Sequence, residues 1–158
     1  MLKRIMIFCM MFFNLLIPSY GINYEADEKI NISVYEKINP AIVSIEAQLA
    51  DGVSAGTGCI VTKDGLILTG SHVVDDSKDI DVTTYNGHVY KAKLISKMGK
   101  TRDLALIKIE PKTILKTVQF GNSENIKVGQ KVLAIGNPFG FAGTLTQGII
   151  SRIEDTKN

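Results

Sequence analysis

The sequence predicts an all-β fold, in which a small closed antiparallel barrel is followed by the first strands of a second one. Between residues 40 and 110, six apolar runs of strand length are joined by short turns, with no convincing long helix. A closed barrel buries such a set without leaving unpaired strand edges. Beyond residue 130 only two more strand-like segments occur. Two strands cannot close a barrel, so the second barrel is expected to be only begun.

Side-chain alternation and turn signals identify the individual strands. The first run alternates apolar and polar residues with a period of two. Asp64-Gly65 and Asn86-Gly87 are two-residue hairpin signals, which predict tight turns after the second and fourth strands. The sixth run is apolar on both faces and is expected in the middle of the sheet. The predicted strands are residues 41–49, 57–63, 66–69, 80–85, 88–97 and 104–109, then 131–135 and 144–153.

The first 21 residues predict a secretory signal peptide. Lys3 and Arg4 give a positive start, an apolar run follows at residues 5–17, and Ser19 and Gly21 are small residues before a cut. The run is shorter than the about 20 residues that a membrane span needs. Export to the periplasm or the extracellular side of the cell envelope is therefore expected. The alternative is an uncleaved anchor, which would associate the chain with the membrane.

Loss of this segment would change the charge and the cysteine count. The 21 residues hold two basic residues and no acidic one, so their removal takes the formal net charge from +2 to 0. The slightly basic character of the chain therefore gives no argument for a nucleic-acid partner. Only Cys59 would remain, which excludes an internal disulfide.

The remaining chain divides by composition into four parts. Residues 22–33 are polar and acidic and predict a solvated linker. Ser33 and Glu36 have capping-box spacing, which predicts a short helix that ends before Pro40. The first barrel is expected within residues 34–110, a connector rich in Lys, Thr and Asn at 111–129, and the start of the second barrel at 130–158.

Two residues at strand ends carry the chemistry that the sequence suggests. His72 follows a predicted strand where the chain turns, and Asp103 stands at the mouth of the most apolar strand. A buried carboxylate is costly unless a partner receives it, and an imidazole N–H is a suitable partner. The carboxylate then fixes which ring nitrogen carries the proton, and this pair is the base-and-orienter half of nucleophilic hydrolysis. Taken singly, a histidine near a strand end is more often a structural residue held by a hydrogen bond, and for Asp103 a turn or a strand-edge salt bridge is preferred.

Seven blocks in order show that residues 34–155 resemble the front of a protease domain of the HtrA (Deg) family of trypsin-like serine endopeptidases. The blocks are Asn39-Pro40-Ala41-Ile42-Val43, Gly56-Thr57-Gly58, Asp64-Gly65-Leu66-Ile67-Leu68-Thr69, His72-Val73-Val74, Asp103-Leu104-Ala105-Leu106-Ile107-Lys108, Val128-Gly129-Gln130 and Ile135-Gly136-Asn137-Pro138-Phe139-Gly140. The resemblance implies a trypsin-like double β-barrel, with His72 as general base and Asp103 as its orienting acid. The segment from Gly136 to Gly140 resembles the loop that leads into the second barrel. Gly70-Ser71 departs mildly from the family, where Asn or Ala is commoner.

The resemblance to this family also implies a substrate class, an oligomeric state and a nucleophile. Its members cleave unfolded or damaged proteins, use no cofactor and no metal, and usually assemble as homotrimers with PDZ domains behind the protease. Their nucleophile comes from a Gly-Asn-Ser-Gly-Gly motif, which does not occur in these 158 residues. The chain as written is therefore expected to be inactive alone, as part of a longer protease. The alternatives are a pseudoprotease that acts as a binding or regulatory module, or a non-functional remnant.

The other reactive side chains have weaker support. Ser123 follows Gly121-Asn122 but precedes Glu124, a poor substitute for the glycines that shape an oxyanion hole. A turn or a helix N-cap suits Ser123 better. Ser71 and Ser151 lack a supporting context, with Ser151 expected inside a strand. Two histidines, His72 and His88, and Cys59 lie too far apart in the sequence to suggest a zinc site, so His88 is expected at the surface and Cys59 in the interior.

Overall fold

The computed structural model describes residues 25–98, 102–137 and 143–154, which form eight strands and two α-helices. The helices are α1 (Ala26–Ile38) and α2 (Ser71–Val74), and short 3₁₀ helices occupy Asn39–Ala41 and Ser123–Asn125. Strands β1 to β6 are Ile42–Gln48, Val53–Ile60, Leu66–Thr69, Asp79–Thr83, Val89–Lys97 and Ala105–Ile109. Strands β7 and β8 are Lys131–Gly136 and Thr144–Ile149. The predicted signal peptide lies outside the described residues, and no helix among those residues is long and apolar enough to cross a membrane.

Strands β1 to β6 form a closed antiparallel barrel in the order β1-β2-β3-β6-β5-β4. Strand β1 closes it by pairing with both β2 and β4, so that Ile45 lies opposite Gly56 on one side and Val82 on the other. Closure gives every barrel strand two partners and leaves no open edge. The predicted six-stranded barrel is confirmed, and the apolar sixth strand lies between β3 and β5 as expected.

Alternating branched side chains fill the interior of the barrel. The largest of them come from five different strands and have no exposed surface: Ile45, Ile60, Ile67, Val82, Ile107 and Ile109. Isoleucine and valine suit this role because their branched side chains pack well on a pleated surface. Gly58 of β2 gives them room, because a Cβ there would come within 2.6 Å of a methyl carbon of Ile67.

The first helix begins earlier than the sequence suggested. It starts at Ala26 with Glu25 as its N-cap, so much of the expected linker is helical and the prediction of an N-cap at Ser33 is wrong. The backbone N–H of Glu25 donates to the Glu28 carboxylate at 2.8 Å, which satisfies a donor at the start of the helix. Acidic residues in the first turn also interact favourably with the helix dipole. The helix ends at Ile38, before Pro40, as predicted.

Both hairpin signals mark real turns, but the turns are longer than two residues. Residues 61–65 connect β2 to β3, and residues 84–88 connect β4 to β5. In the second turn the Thr84 N–H donates to the His88 carbonyl at 2.9 Å, which leaves a three-residue loop between them. Gly65 and Gly87 have φ values of +100° and +81°, which only glycine adopts without strain. A left-handed glycine also closes three-residue hairpins, so its presence marked the place but not the length.

Strands β7 and β8 form a separate two-stranded sheet after the connector. They pair antiparallel from Lys131 opposite Ile149 to Gly136 opposite Thr144. Strand β8 ends at Ile149, four residues before its predicted end at 153. None of the residues in these two strands is buried, whereas five of the six barrel strands contain buried residues. One finished barrel and the first hairpin of a second sheet match the architecture expected of a trypsin-like double barrel.

Candidate active site

The first candidate residue, His72, lies on the single turn of α2 directly after β3. Val73 and Val74, which follow it, are only 3% and 1% exposed and anchor the turn to the barrel core. Because successive residues on a helical turn point in different directions, anchoring these two valines turns His72 outward. Its side chain is 72% exposed.

The sheet register brings Asp103 to the same place. Strands β3 and β6 pair with Thr69 opposite Ala105, so the end of β3 lies beside the start of β6. Asp103 stands two residues before Ala105, and His72 three residues after Thr69. Two residues that lie 31 positions apart in sequence are therefore brought into contact by strand pairing.

The Asp103 carboxylate accepts three hydrogen bonds from two consecutive residues. Oδ1 accepts from the backbone N–H of His72 at 2.9 Å and from the Ser71 hydroxyl at 2.8 Å. Oδ2 is in direct contact with Nδ1 of the His72 ring. An ionised carboxylate only accepts, so Nδ1 carries a proton, and in the neutral imidazole Nε2 then has the lone pair. An imidazole in this state can take a proton at Nε2.

These hydrogen bonds lower the pKa of Asp103 to about 2, from an ordinary value of 3.8. The largest cause is the backbone N–H of His72, followed by the Ser71 hydroxyl and the His72 side chain. Each favours the charged form of the carboxyl group. Asp103 is therefore ionised throughout the neutral range, as an orienting carboxylate must be.

Asp103 is more exposed than its place beside an apolar strand suggested. The Asp103 side chain is 52% exposed, so it is not the buried carboxylate that the apolar strand suggested. Strand β6 turns its apolar side chains into the barrel only from Ala105 onward. Hydrogen bonds rather than removal from water therefore account for the pairing of Asp103 with His72.

Two glycines leave room for the His72 ring and for the helical turn that carries it. A Cβ on Gly70 would lie 2.7 Å from Cε1 and 2.9 Å from Nδ1 of the His72 ring, so the ring packs against bare backbone. A Cβ on Gly56 of β2 would lie 2.5 Å from a methyl carbon of Val73. Absence of a side chain at Gly56 thus lets α2 lie close to the barrel, and at Gly70 it leaves room for the imidazole ring.

Among the described residues, neither Ser123 nor Ser151 contacts the His72–Asp103 pair. Ser123 is the first residue of a 3₁₀ helix whose N-cap is Asn122, which accepts from the Glu124 N–H at 2.9 Å. Asn122 rather than Ser123 is thus the cap. Ser151 lies beyond the end of β8, not inside a strand, and its hydroxyl is 3.5 Å from the Ile149 carbonyl oxygen.

Two further candidates have ordinary structural surroundings. His88 is exposed beside the turn before β5, and its ring stands edge-on to that of Tyr90. Cys59 is a half-buried free thiol, and burial raises its pKa. Among the described residues, no three of the His, Cys, Asp and Glu side chains are grouped closely enough to hold a metal ion.

Ser71 is the residue of this site whose role the sequence did not identify. It was considered as a nucleophile without supporting context and as part of a departure from the family pattern, yet its hydroxyl contacts the candidate acid directly. A hydroxyl next to the histidine was the available signal, but its direction depends on where Asp103 lies in the fold. The segment from Gly136 to Gly140 is described only as far as Asn137, whose N–H donates to the Thr57 hydroxyl at 2.7 Å.

Comparison with known proteins agrees with this architecture. A family model described as a trypsin-like peptidase domain matches residues 56–158, which include His72 and Asp103. The chain belongs to the trypsin-like peptidase family. This match covers β3, α2 and β6, the elements that hold the two candidate residues, together with the second sheet.

Individual relatives of this trypsin-like chain indicate which kind of trypsin-like peptidase it resembles. Serine protease HTRA1 of Xenopus tropicalis is 39% identical over 141 residues, covering 85% of this chain and 29% of the relative. A protein named as a probable periplasmic serine endoprotease, DegP-like, from Chlamydia muridarum (strain MoPn / Nigg) is 49% identical over 96 residues, which is 61% of this chain and 19% of the relative. A protein of the same name from Pseudomonas fulva (strain 12-X) is 49% identical over 98 residues, with 62% and 20% covered. The HtrA/Deg resemblance is confirmed, and the chain spans less than a third of the length of each of these relatives.

Proposed function

We propose that His72 is the general base, and Asp103 its orienting acid, in a serine endopeptidase of the HtrA/Deg type. The contact between Asp103 Oδ2 and His72 Nδ1 carries this proposal, because it leaves Nε2 able to take a proton from a nucleophile. Membership of the trypsin-like peptidase family supports the reaction type. By analogy with the relatives named as serine proteases, the substrates are proteins cut at internal peptide bonds.

The nucleophile is the part that these 158 residues do not supply. The Gly-Asn-Ser-Gly-Gly motif does not occur in the sequence, and the Ser71 hydroxyl is engaged by Asp103. A chain ending at Asn158 should therefore not hydrolyse peptide bonds by the triad mechanism. We propose that the two residues act together with a serine from a longer reading frame.

Location and partners follow the same analogy. The bacterial relatives named as periplasmic support export of this chain, in line with the basic start and apolar run of its first 21 residues. We propose a cell-envelope enzyme that acts on unfolded or damaged proteins and assembles as a homotrimer when complete. Cleavage after Gly21, read by mass spectrometry of the exported chain, would separate export from anchoring through an intact segment.

The deciding experiment compares the complete reading frame with the 158-residue chain. In the complete product, His72→Ala should lower kcat/KM for an unfolded protein substrate by about 10²- to 10⁴-fold, the usual contribution of a general base. His88→Ala, which changes the exposed histidine of the β5 turn, is the matched control and should leave the rate unchanged.

The shorter chain tests the second half of the proposal. Diisopropyl fluorophosphate modifies an activated serine, so the 158-residue chain should remain unlabelled. Labelling at Ser123 or Ser151, abolished by His72→Ala, would overturn the assignment of the nucleophile to a longer frame. Full activity of His72→Ala in the complete product would overturn the role of His72.

A further inference from the structure

Ser71 and Gly70, the residues that set this chain apart from the family pattern before the histidine, both contact the His72–Asp103 pair. The Ser71 hydroxyl donates to Oδ1 of Asp103 at 2.8 Å. The Gly70 backbone lies so close to the imidazole that any Cβ would overlap the ring. One residue thus contacts the carboxylate and the other the ring.

The exposed position of Asp103 gives the Ser71 contact its importance. With 52% of its side chain in contact with solvent, the carboxylate is not held by surrounding packing. Rotation about its Cβ–Cγ bond would replace the hydrogen bonds to Ser71 and His72 by hydrogen bonds to water. Two donors on Oδ1, the His72 N–H and the Ser71 hydroxyl, oppose this rotation and keep Oδ2 directed at Nδ1.

We propose that Ser71 is a positioning residue, whose hydroxyl fixes the Asp103 carboxylate in the orientation that holds His72 with its proton on Nδ1. This inference rests on the proposed function, because it concerns the same base-and-orienter pair. Ser71 does not touch the reacting atoms and acts only through Asp103. Gly70 complements it, because a Cβ there would lie 2.7 Å from the His72 ring and 3.2 Å from Asp103 Oδ2.

Among the described residues, the charged neighbours of this site along the chain are Arg102 and Asp75. Arg102 precedes Asp103 in the chain, and at the far end of α2 Asp75 forms an ion pair with Lys97 of β5. The interactions that lower the pKa of Asp103 come instead from His72 and Ser71. Removal of the Ser71 hydroxyl should therefore be visible in the titration of this carboxylate without a change in formal charge nearby.

The test uses nuclear magnetic resonance on the 158-residue chain and needs no catalytic activity. Ser71→Ala should raise the titration midpoint of the Asp103 carboxyl carbon from about 2 towards 3.8. It should also shift the ¹⁵N resonances of the His72 ring towards a mixture of the two neutral tautomers. Ser71→Thr retains a hydroxyl and should restore both signals.

Ser77→Ala is the matched control, because the Ser77 hydroxyl lies just beyond α2 and donates to the Val74 carbonyl at 2.8 Å. It should leave both signals as in the unchanged chain. Wild-type signals in Ser71→Ala would overturn the positioning role. Failure of the proposed function looks different, because it would appear as full activity of His72→Ala in the complete product and not in these resonances. If Ser71→Ala does not fold, Ser71→Cys, a weaker donor of similar size, should give intermediate shifts, and wild-type shifts would contradict the proposal.

Discussion

At the residue scale, Asp103 is held by directed hydrogen bonds rather than by burial. Motif order in the sequence paired it with His72, and the structure brings the two side chains into contact. The pairing was expected because burying an unpaired charge is costly, but this reason does not apply to a half-exposed carboxylate. What the sequence could not show was the Ser71 hydroxyl, because its direction depends on a partner 32 residues away.

The lowered pKa of Asp103 predicts a specific dependence of stability on pH. Its folded-state pKa of about 2 lies below the ordinary value of 3.8 expected in the unfolded chain. The stabilisation from ionised Asp103 should therefore be fully present above pH 3.8 and be lost as pH falls through about 2. Because the group is exposed, solvent screening keeps the effect small.

Urea unfolding of the wild type and Asp103→Asn at several pH values measures this effect. The difference in unfolding free energy between the two proteins should be constant near neutral pH and shrink between about pH 4 and pH 2. Other carboxylates titrate in both proteins and cancel in the difference. A difference that stays constant down to pH 2 would contradict the assigned pKa.

At the element scale, periodicity predicted strands such as β1, β4 and β6 well because every second residue in them is buried in the barrel. Helix α1 was predicted less well, since none of its residues is buried and its sequence carries no strong apolar stripe. Its start was predicted from the spacing of Ser33 and Glu36 alone, which put the N-cap eight residues too late. The hydrogen bond from the Glu25 N–H to the Glu28 carboxylate marks the N-cap that the helix uses.

Strand β2 offers a test of how the barrel positions α2. Gly56 and Gly58 both face inward, but a Cβ on Gly56 would meet Val73 of α2, whereas one on Gly58 would meet Ile67 and Ile45 of the core. Gly56→Ala and Gly58→Ala should each destabilise the fold by about 1–3 kcal/mol through overpacking. Only Gly56→Ala should also displace the turn that carries His72.

Chemical denaturation and the ¹⁵N shifts of the His72 ring separate the two effects. Gly121→Ala is the control, because nothing lies within 4 Å of a Cβ at that position. It should change neither quantity. Equal ¹⁵N shifts in Gly56→Ala and Gly58→Ala would mean that the barrel as a whole, and not the Gly56–Val73 contact, places the histidine.

At the scale of the whole molecule, the two sheets are stabilised differently. The barrel has a closed core of fully buried branched residues, whereas β7 and β8 contain no buried residue. Polar contacts join α1 to the second sheet. Lys131 of β7 is paired with Asp27 and donates to the Asn31 side chain at 2.9 Å. Such contacts join residues about 100 positions apart and produce no periodic pattern, so they could not be predicted from the sequence.

Asn31 is the central residue of this attachment, because it contacts both strands of the second sheet. Its Oδ1 accepts from Lys131, and its Nδ2 donates to Gln147 Oε1 of β8 at 2.8 Å. Asn31→Ala removes both hydrogen bonds while favouring the helix, since alanine has the higher helix propensity. Any loosening of β7 and β8 would then come from the lost contacts and not from a weaker α1.

Native-state hydrogen exchange of the 158-residue chain measures that loosening directly. A two-stranded sheet without a core is marginal, so β7 and β8 amides should already exchange faster than those of the barrel. Asn31→Ala should accelerate them by a further factor of about 2–10, since an exposed hydrogen bond contributes about 0.5–1.5 kcal/mol or less. Barrel amides such as that of Ile107 should not change their exchange rates.

Lys29→Ala, at an exposed position on the same helix, is the control and should leave the exchange of both sheets unchanged. Unchanged β7 and β8 exchange in Asn31→Ala would show that α1 does not hold the second sheet against the barrel.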